Sequence, residues 1–255
     1  YWFLANAEME DKSFKQAKKY LNSYLEFLSL PEENKAMARQ KIKTAEFYNE
    51  MYSNPVPFAP KAVKGVSTAN DEYLSALSPD NEFAYYTRRS TKQKIGMLRP
   101  ETVEEFTVSV KKDGKFDKGK TMPYPFNMRP NEGGPSLSID NRELFFTICA
   151  NENGYKNCDI FYTKKKYENW SELKRLKYPI NKGDSWESQP TISSDGNTLI
   201  FSSIREGGLG GSDLYSVNRD ENGNWGNLKS LNVNTEGNEK SPFLHPDSET
   251  LYFSS

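Results

Sequence analysis

One pattern recurs four times in this sequence and constrains the fold more than any other feature. In each copy a Glu stands eight residues before an Asp that begins a tight turn, and an apolar and aromatic run follows the turn. The four pairs are Glu72 and Asp80, Glu132 and Asp140, Glu187 and Asp195, and Glu239 and Asp247. Consecutive Asp residues are 60, 55 and 52 positions apart. A period of about 50 residues is typical of a propeller or solenoid made of one repeated unit.

The third copy contains four segments with strand character. They are an inner strand at 190–193, a second at 198–203 after the turn dipeptide Asp195-Gly196, a third at 213–217 and an outer one at 225–228. The second copy has the same order and ends at Trp170, and the first has Phe116 in the position of the Trp. Four strands per repeat are typical of a propeller blade. We therefore predict a mainly β chain, with three blades and the start of a fourth over residues 64–255.

Residues 1–53 have helical periodicity instead. One predicted helix face carries Phe14, Ala17, Leu21, Tyr24 and Leu28, with Ser13 and Gln16 as a capping box at its start. A second helix is expected to begin at Pro31 and to bury Ala38, Ile42, Ala45 and Met51. With Leu4 and Ala5, this pair resembles a tetratricopeptide repeat, and a plain helical linker is the alternative.

Residues 54–63 contain three prolines, Pro55, Pro57 and Pro60, which exclude a helix and favour an extended path. We predict a hinge and a domain boundary here. Phe58 also matches the Trp position of a blade, so residues 55–63 are a candidate closing strand for the propeller. Such a strand would cover an otherwise exposed sheet edge.

Charge and hydropathy exclude two classes of partner. There are 34 Lys and Arg residues against 35 Asp and Glu, which gives a net charge of −1 and no basic excess for nucleic acid. No apolar run reaches the roughly 18 residues needed to span a bilayer, so we expect no transmembrane segment. A closed propeller has about four to eight whole blades. We therefore expect a longer parent protein, in which a lipid anchor or further domains lie outside this sequence.

The two cysteines, Cys149 and Cys158, flank a polar turn between two strand-like runs. If these strands pair as a hairpin, the two residues come within bridging range, which favours a disulfide and an oxidising compartment. The alternative is two small buried residues.

No catalytic, cofactor or metal-binding set stands out in the sequence. The single histidine, His245, occupies the turn position at which the other copies have Ser78, Ser138 and Ser193, so a turn role is expected. One histidine excludes a multi-histidine zinc site, and no nucleophile elbow is present. We expect no enzyme activity, no cofactor and no metal.

The repeated carboxylates have two possible roles. Glu72, Glu132, Glu187 and Glu239 either ring the central channel, where they would bind a cation or a basic peptide, or form hydrogen bonds at the start of each inner strand. The Asp of each copy is expected to be a turn residue. Asp159 and Asp213 begin equivalent third strands and are expected to be structural.

The blade motif resembles the WD40-like, TolB-type propeller repeat. The matching elements are Glu-x-x-Pro, Ser-x-Asp-Gly, Leu-x-Phe-Ser-Ser, a glycine-rich loop and Asp-Leu-Tyr. With the helices and the proline hinge, the order resembles outer-membrane-associated lipoproteins that end in an OmpA-like peptidoglycan-binding domain. The resemblance implies a periplasmic scaffold that contacts other envelope proteins of type IX secretion or gliding complexes. Contact with peptidoglycan would be made through a C-terminal domain absent from this sequence.

Two other functions stay open. The propeller could be an accessory domain of an envelope peptidase or hydrolase. It could also bind glycans through Trp170, Trp186 and Trp225, although Trp170 and Trp225 are expected to pack within blades.

Overall fold

The structure is a computed structural model that describes residues 1–55, 59–93, 96, 99–129, 131–152 and 155–255. The chain forms two compact units, Tyr1–Lys61 and Ala62–Ser255.

The first unit consists of three helices, α1 (Trp2–Glu10), α2 (Phe14–Leu25) and α3 (Glu32–Ser53). Small residues at the helix contacts let the helices approach closely, because Ala5, Ala17, Ala38 and Ala45 are all buried. The Phe14 ring lies 5.3 Å from the rings of both Tyr48 and Tyr52 in α3.

Three expectations for this unit are wrong. Helix α2 ends at Leu25, so Leu28 lies beyond the predicted apolar face and is 99% exposed. Met51 is also exposed. Ser13 begins α2 without a side-chain capping bond. In a capping box the Gln16 side chain would accept the Ser13 N–H, but this N–H already donates to the Glu8 carbonyl at 2.8 Å.

The second unit is a series of antiparallel sheets. Its strands are β1 (Asp71–Leu77), β2 (Phe83–Lys92), β3 (Glu101–Lys112), β4 (Lys115–Phe116), β5 (Lys120–Thr121), β6 (Asn131–Leu137), β7 (Glu143–Glu152), β8 (Tyr155–Lys166), β9 (Asn169–Trp170), β10 (Lys174–Arg175), β11 (Glu187–Ile192), β12 (Thr198–Ser203), β13 (Asp213–Arg219), β14 (Trp225–Ser230), β15 (Lys240–Leu244) and β16 (Leu251–Ser254).

Each copy of the sequence repeat is one meander. The clearest is β11-β12-β13-β14, in which every strand pairs antiparallel with the next. The first and second copies repeat this order and are joined by one parallel bridge between Glu104 and Asn131. The fourth contains β15 and β16. The prediction of a mainly β chain with an incomplete propeller behind a helical segment is confirmed.

The apolar core lies between successive sheets. Phe145 and Ile160 of the second copy pack with Ile192 and Phe201 of the third. Between the first and second copies, the Phe106 and Phe146 rings stack at 5.7 Å. The aromatic runs of the first three copies therefore supply the contacts between blades.

Each inner strand contains a β-bulge two residues after its Glu. The bulge residues have left-handed backbone with φ between 49° and 62°, and they are Leu74, Gly134, Gln189 and Ser241. A proline follows in three copies, at Pro135, Pro190 and Pro242. A bulge releases one residue from the ladder, so a proline without an N–H is tolerated there. The motif Glu-x-x-Pro thus encodes a bulge that the sequence analysis did not predict.

The candidate closing strand stays a prediction. Val56, Pro57 and Phe58 lie outside the described residues, and 59–63 belong to no strand.

Candidate functional site

The inner strands of all four copies line one cavity of about 740 Å³. Its wall includes residues 74–79, 134–137, 189–194 and 241–244. Equivalent segments from four consecutive blades meet here, so this cavity marks the axis of the propeller. Among the described residues, those that line it are apolar, proline, hydroxyl or amide residues, and none carries a charge. Such a wall is suited to contacts with uncharged groups.

Hydrogen bonds between neighbouring inner strands hold this wall together. The N–H of Ile192 donates to Ser136 Oγ at 3.1 Å, and the N–H of Leu244 donates to Thr191 Oγ1 at 3.0 Å. The two donors, Ile192 and Leu244, each lie three residues before the Asp of their copy. The two acceptors, Ser136 and Thr191, each lie four residues before it. The N–H of Ser241 also donates to Gln189 Oε1 at 2.8 Å. These bonds fix the third inner strand to the second blade and the fourth inner strand to the third.

The four repeated Glu residues do not line the axial cavity. Each carboxylate instead accepts a backbone N–H from the segment that precedes its blade. The donors are Thr68 to Glu72 at 3.0 Å, Asn127 to Glu132 at 2.7 Å, Lys182 to Glu187 at 3.0 Å and Thr235 to Glu239 at 3.0 Å. Of the two roles proposed for these residues, the contacts favour the hydrogen-bonding role at the start of the inner strand.

Burial and hydrogen bonding act in opposite directions on these carboxylates. Burial raises the pKa of Glu132 above its usual value, although backbone N–H groups of Asn127 and Arg129 oppose the shift. For Glu239, burial also raises the pKa, but the hydrogen bonds from Thr235 and Ser255 outweigh it and the net pKa is lowered. Glu187 is fully buried and pairs with Arg205, whose Nη2 lies 3.3 Å from its Oε1.

The Asp of each copy organises the turn between the first two strands. Asp80, Asp140 and Asp195 each accept a hydrogen bond at 2.5 Å from the Ser two residues earlier. In the fourth copy His245 takes the place of that Ser, and its Nδ1 lies 2.9 Å from Asp247 Oδ2. Backbone N–H groups after the Asp complete each turn.

These turns predict acid sensitivity. At Asp140, burial raises the pKa but the hydrogen bonds outweigh it. In all three turns the pKa of the Asp is lowered by the Ser two residues earlier, which is Ser78 for Asp80, Ser138 for Asp140 and Ser193 for Asp195, and by backbone N–H groups. A carboxylate with a lowered folded-state pKa stabilises the fold above its unfolded pKa, and the effect is lost as pH falls through the folded value. We expect the unfolding free energy of the second unit to fall between pH 5 and about pH 2, measured by urea titration.

Ser193→Ala is the matched variant for this prediction, because it removes the largest cause of the shift at Asp195. We expect it to reduce the acid-induced loss of stability. Glu132 acts with the opposite sign, since its raised pKa favours the fold at lower pH. Stability that is constant or rises on acidification would contradict the turn role of the Asp residues.

The sequence analysis missed a second repeated residue, an Asn that fixes each third strand. Asn127, Asn181 and Asn234 each accept the backbone N–H and bind the backbone carbonyl of one third-strand residue. Asn181, for example, accepts from Ile160 N–H and donates to Ile160 O, both at 2.8 Å. The available signal was an Asn five or six residues before each of the last three Glu residues.

The two Asp residues at the start of third strands also make local contacts. Asp159 accepts two hydrogen bonds from Arg175, at 2.8 and 2.6 Å. Asp213 accepts the N–H groups of Leu209 and Gly210 in the glycine-rich loop.

The tryptophans of the second unit differ in their surroundings. The Trp170 ring meets Phe126 edge-on at 6.2 Å, and Trp225 meets Phe145 at 6.0 Å with the Arg219 guanidinium 4.5 Å from its centroid. Trp186 instead lines a second, smaller cavity of about 120 Å³. That cavity shares Leu74 and Gln189 with the axial one.

The wall of the smaller cavity is rich in hydroxyl and amide groups, from Tyr73, Thr87, Asn131, Thr147, Ser188 and Gln189. Burial, and after it the Glu104 carboxylate, raises the pKa of Tyr73 to about 12. The shift extends to higher pH the range over which the Tyr73 hydroxyl stays protonated.

Cys149 and Cys158 face each other in the β7–β8 pair and are joined by a disulfide. Within the described residues, no group of three or more His, Cys, Asp and Glu side chains is placed to hold a metal ion. The described helices are too short or too polar to cross a membrane.

Comparison with known proteins adds little to this geometry. No protein-family profile matches the sequence, and neither does any curated protein. Among solved structures, TolB from Acinetobacter baumannii is 19% identical with a TM-score of 0.44, covering 73% of this chain and 38% of the TolB chain. The tricorn protease is 10% identical with a TM-score of 0.44, covering 69% of this chain and 18% of the protease.

A puromycin-hydrolysing peptidase from Mycobacterium tuberculosis is also 10% identical, with a TM-score of 0.44, covering 64% of this chain and 23% of the peptidase. The chain thus spans about two fifths of the Acinetobacter protein and less than a quarter of the other two. The assignment of the fold rests on strand order and on the axial cavity.

Proposed function

We propose that this chain is a noncatalytic interaction module in which the propeller provides a rigid contact platform. The observation that carries the proposal is how the repeated polar residues are used. The Glu and Asp residues of the four copies and the three Asn residues form hydrogen bonds to neighbouring backbone and side-chain groups, and the axial wall formed by the same repeats is uncharged. A repeat whose polar groups are engaged in this way maintains a shape and offers no acid, base or nucleophile to a substrate.

The disulfide supports the compartment that we propose. A bridge between Cys149 and Cys158 is stable in an oxidising environment, which supports an extracytoplasmic location. With the resemblance of the repeat to TolB-type blades, we place the module in the periplasm, associated with the outer membrane. There it would hold components of a type IX secretion or gliding complex, and an OmpA-like domain outside this sequence would reach peptidoglycan.

Site-specific photo-cross-linking in the native cell tests this role. A photoreactive phenylalanine analogue would replace exposed side chains of the second unit, one at a time, at Tyr124, Tyr167 or Tyr178. We expect adducts with outer-membrane or periplasmic proteins of a secretion or motility complex, at some positions and not at others. Adducts confined to cytosolic proteins, or free thiols at both cysteines in protein from its native compartment, would contradict the proposal.

A further inference from the structure

We propose that the smaller cavity beside Trp186 is a binding subsite that receives part of one sugar ring of a neutral saccharide. This inference goes beyond the interaction role proposed above. It does not depend on that role.

The first argument concerns which aromatic ring is available. Trp170 and Trp225 pack against Phe126 and Phe145 of the blade cores. Trp186 is outside both core clusters and lines the cavity, with Lys240 Nζ 5.9 Å from its ring centroid. The face of an aromatic ring carries partial negative charge and attracts the polarised C–H groups of a sugar ring.

The second argument concerns two buried hydroxyl groups. Thr87 is 2% exposed and Ser188 is 3% exposed, and both line this cavity. Thr87 Oγ1 and Ser188 Oγ have no hydrogen-bond partner within the described part of the chain. Buried polar atoms in native proteins are nearly always paired, so two such hydroxyls in one small cavity point to a polar occupant. Each hydroxyl group can donate a hydrogen bond to a polar ligand or accept one from it.

The third argument concerns charge. The Glu104 carboxylate accepts hydrogen bonds from Arg89 Nε at 3.1 Å and from Arg89 Nη2 at 2.8 Å. The buried Glu132 carboxylate accepts hydrogen bonds from the backbone N–H groups of Asn127 and Arg129. The charged groups of the wall are therefore already satisfied by the protein. The groups left for recognition are hydroxyls, the side-chain amide of Asn131 and an indole ring. This set matches a neutral polyhydroxylated ligand better than an ion.

Size sets the scale of the ligand. A volume of about 120 Å³ equals roughly four water molecules at about 30 Å³ each, which suits part of a single sugar ring. Because Leu74 and Gln189 line both cavities, the remainder of an oligosaccharide could extend along the axial wall.

Titration of the 255-residue chain with glucose, N-acetylglucosamine and N,N′-diacetylchitobiose tests the inference. Binding would be followed by tryptophan fluorescence and by saturation-transfer NMR. We expect at least one probe to bind and to change the fluorescence of Trp186. Trp186→Leu should weaken binding at least tenfold, whereas the matched variants Trp170→Phe and Trp225→Phe should leave it within about twofold.

Ser188→Ala separates binding from folding. Its hydroxyl has no hydrogen-bond partner among the residues that the structure describes, so we expect no decrease in the melting temperature. Loss of one hydrogen bond to a neutral ligand should weaken binding about three- to tenfold. The inference is overturned if no probe binds, if Ser188→Ala binds as well as the unmodified chain, or if a crystal soaked with diacetylchitobiose holds only water in the cavity. None of these outcomes bears on the cross-linking result.

Discussion

Replacing Arg205 by methionine is expected to lower the unfolding free energy of the second unit by about 3–5 kcal/mol. The Arg205 side chain is 6% exposed and its partner Glu187 is fully buried. Arg205 also donates to the carbonyl oxygens of Pro179 at 3.0 Å and Ile180 at 2.6 Å. Methionine keeps much of the volume but leaves the buried Glu187 carboxylate without its cation and removes the Arg205 donor from two carbonyls. Removal of one partner from a buried ion pair is among the most destabilising single changes.

Urea unfolding followed by tryptophan fluorescence measures this effect, because Trp170, Trp186 and Trp225 all lie in the second unit. Arg142→Met is the matched control at an exposed position and should change stability by no more than about 0.5 kcal/mol. The double variant Glu187→Leu with Arg205→Met should recover part of the loss, since no unpaired charge is left buried. Equal effects at Arg205 and Arg142 would show that the pair does not anchor the third blade.

Asn181→Asp is expected to have a similar effect, about 3–5 kcal/mol at pH 7, although it changes only one atom. Asn181 is buried, and its Nδ2 donates to Ile160 O at 2.8 Å and to Leu176 O at 2.7 Å. Aspartate cannot donate when ionised, so both carbonyls lose their partner and face a negative charge. The second and third blades share the core around Ile160, so the loss should lower the stability of both.

The same isosteric change at the exposed Asn222 is the control and should be nearly neutral. Acidification gives a second readout. Burial raises the pKa of a carboxyl group placed at 181, and its protonated form can again donate one hydrogen bond. The difference between Asn181→Asp and Asn222→Asp should therefore shrink as pH falls. A difference that is absent at pH 7, or that widens in acid, would contradict the role of Asn181.

The repeat spacing was sufficient to predict the blades, because the Glu and Asp positions mark two fixed points of a four-strand meander. The predicted third blade agrees with β11 to β14 within a few residues. The bulges and the roles of the Asn residues were not predicted, because they depend on contacts with residues that are distant in the sequence. Asn181 reads as an ordinary loop residue until its partner, Ile160, is brought to it by the fold.

The helical periodicity was less reliable at its ends. Leu28 continues the apolar spacing of α2 but follows the end of the helix at Leu25, so its side chain no longer faces the core. Periodicity indicates which residues would share a face, but it does not fix where the helix stops.

The residues that line the two cavities could not be predicted from the sequence. Trp186, Trp170 and Trp225 are all aromatic residues near strand boundaries, and only the placement of blades separates them. The small cavity requires side chains from the first, second and third copies together, such as Thr87, Asn131 and Ser188. The spacing of residues in the sequence does not show which side chains of different blades come together unless the twist between the blades is known.

A crystal structure of the 255-residue chain is the most direct test of the radial arrangement of the four repeats. We expect Leu244 N within about 3 Å of Thr191 Oγ1, and Ile192 N at a similar distance from Ser136 Oγ, because the third and fourth inner strands each bind the preceding one around the axis. Inner strands stacked as a flat sandwich, with these atom pairs far apart, would contradict the propeller and the interaction platform built on it.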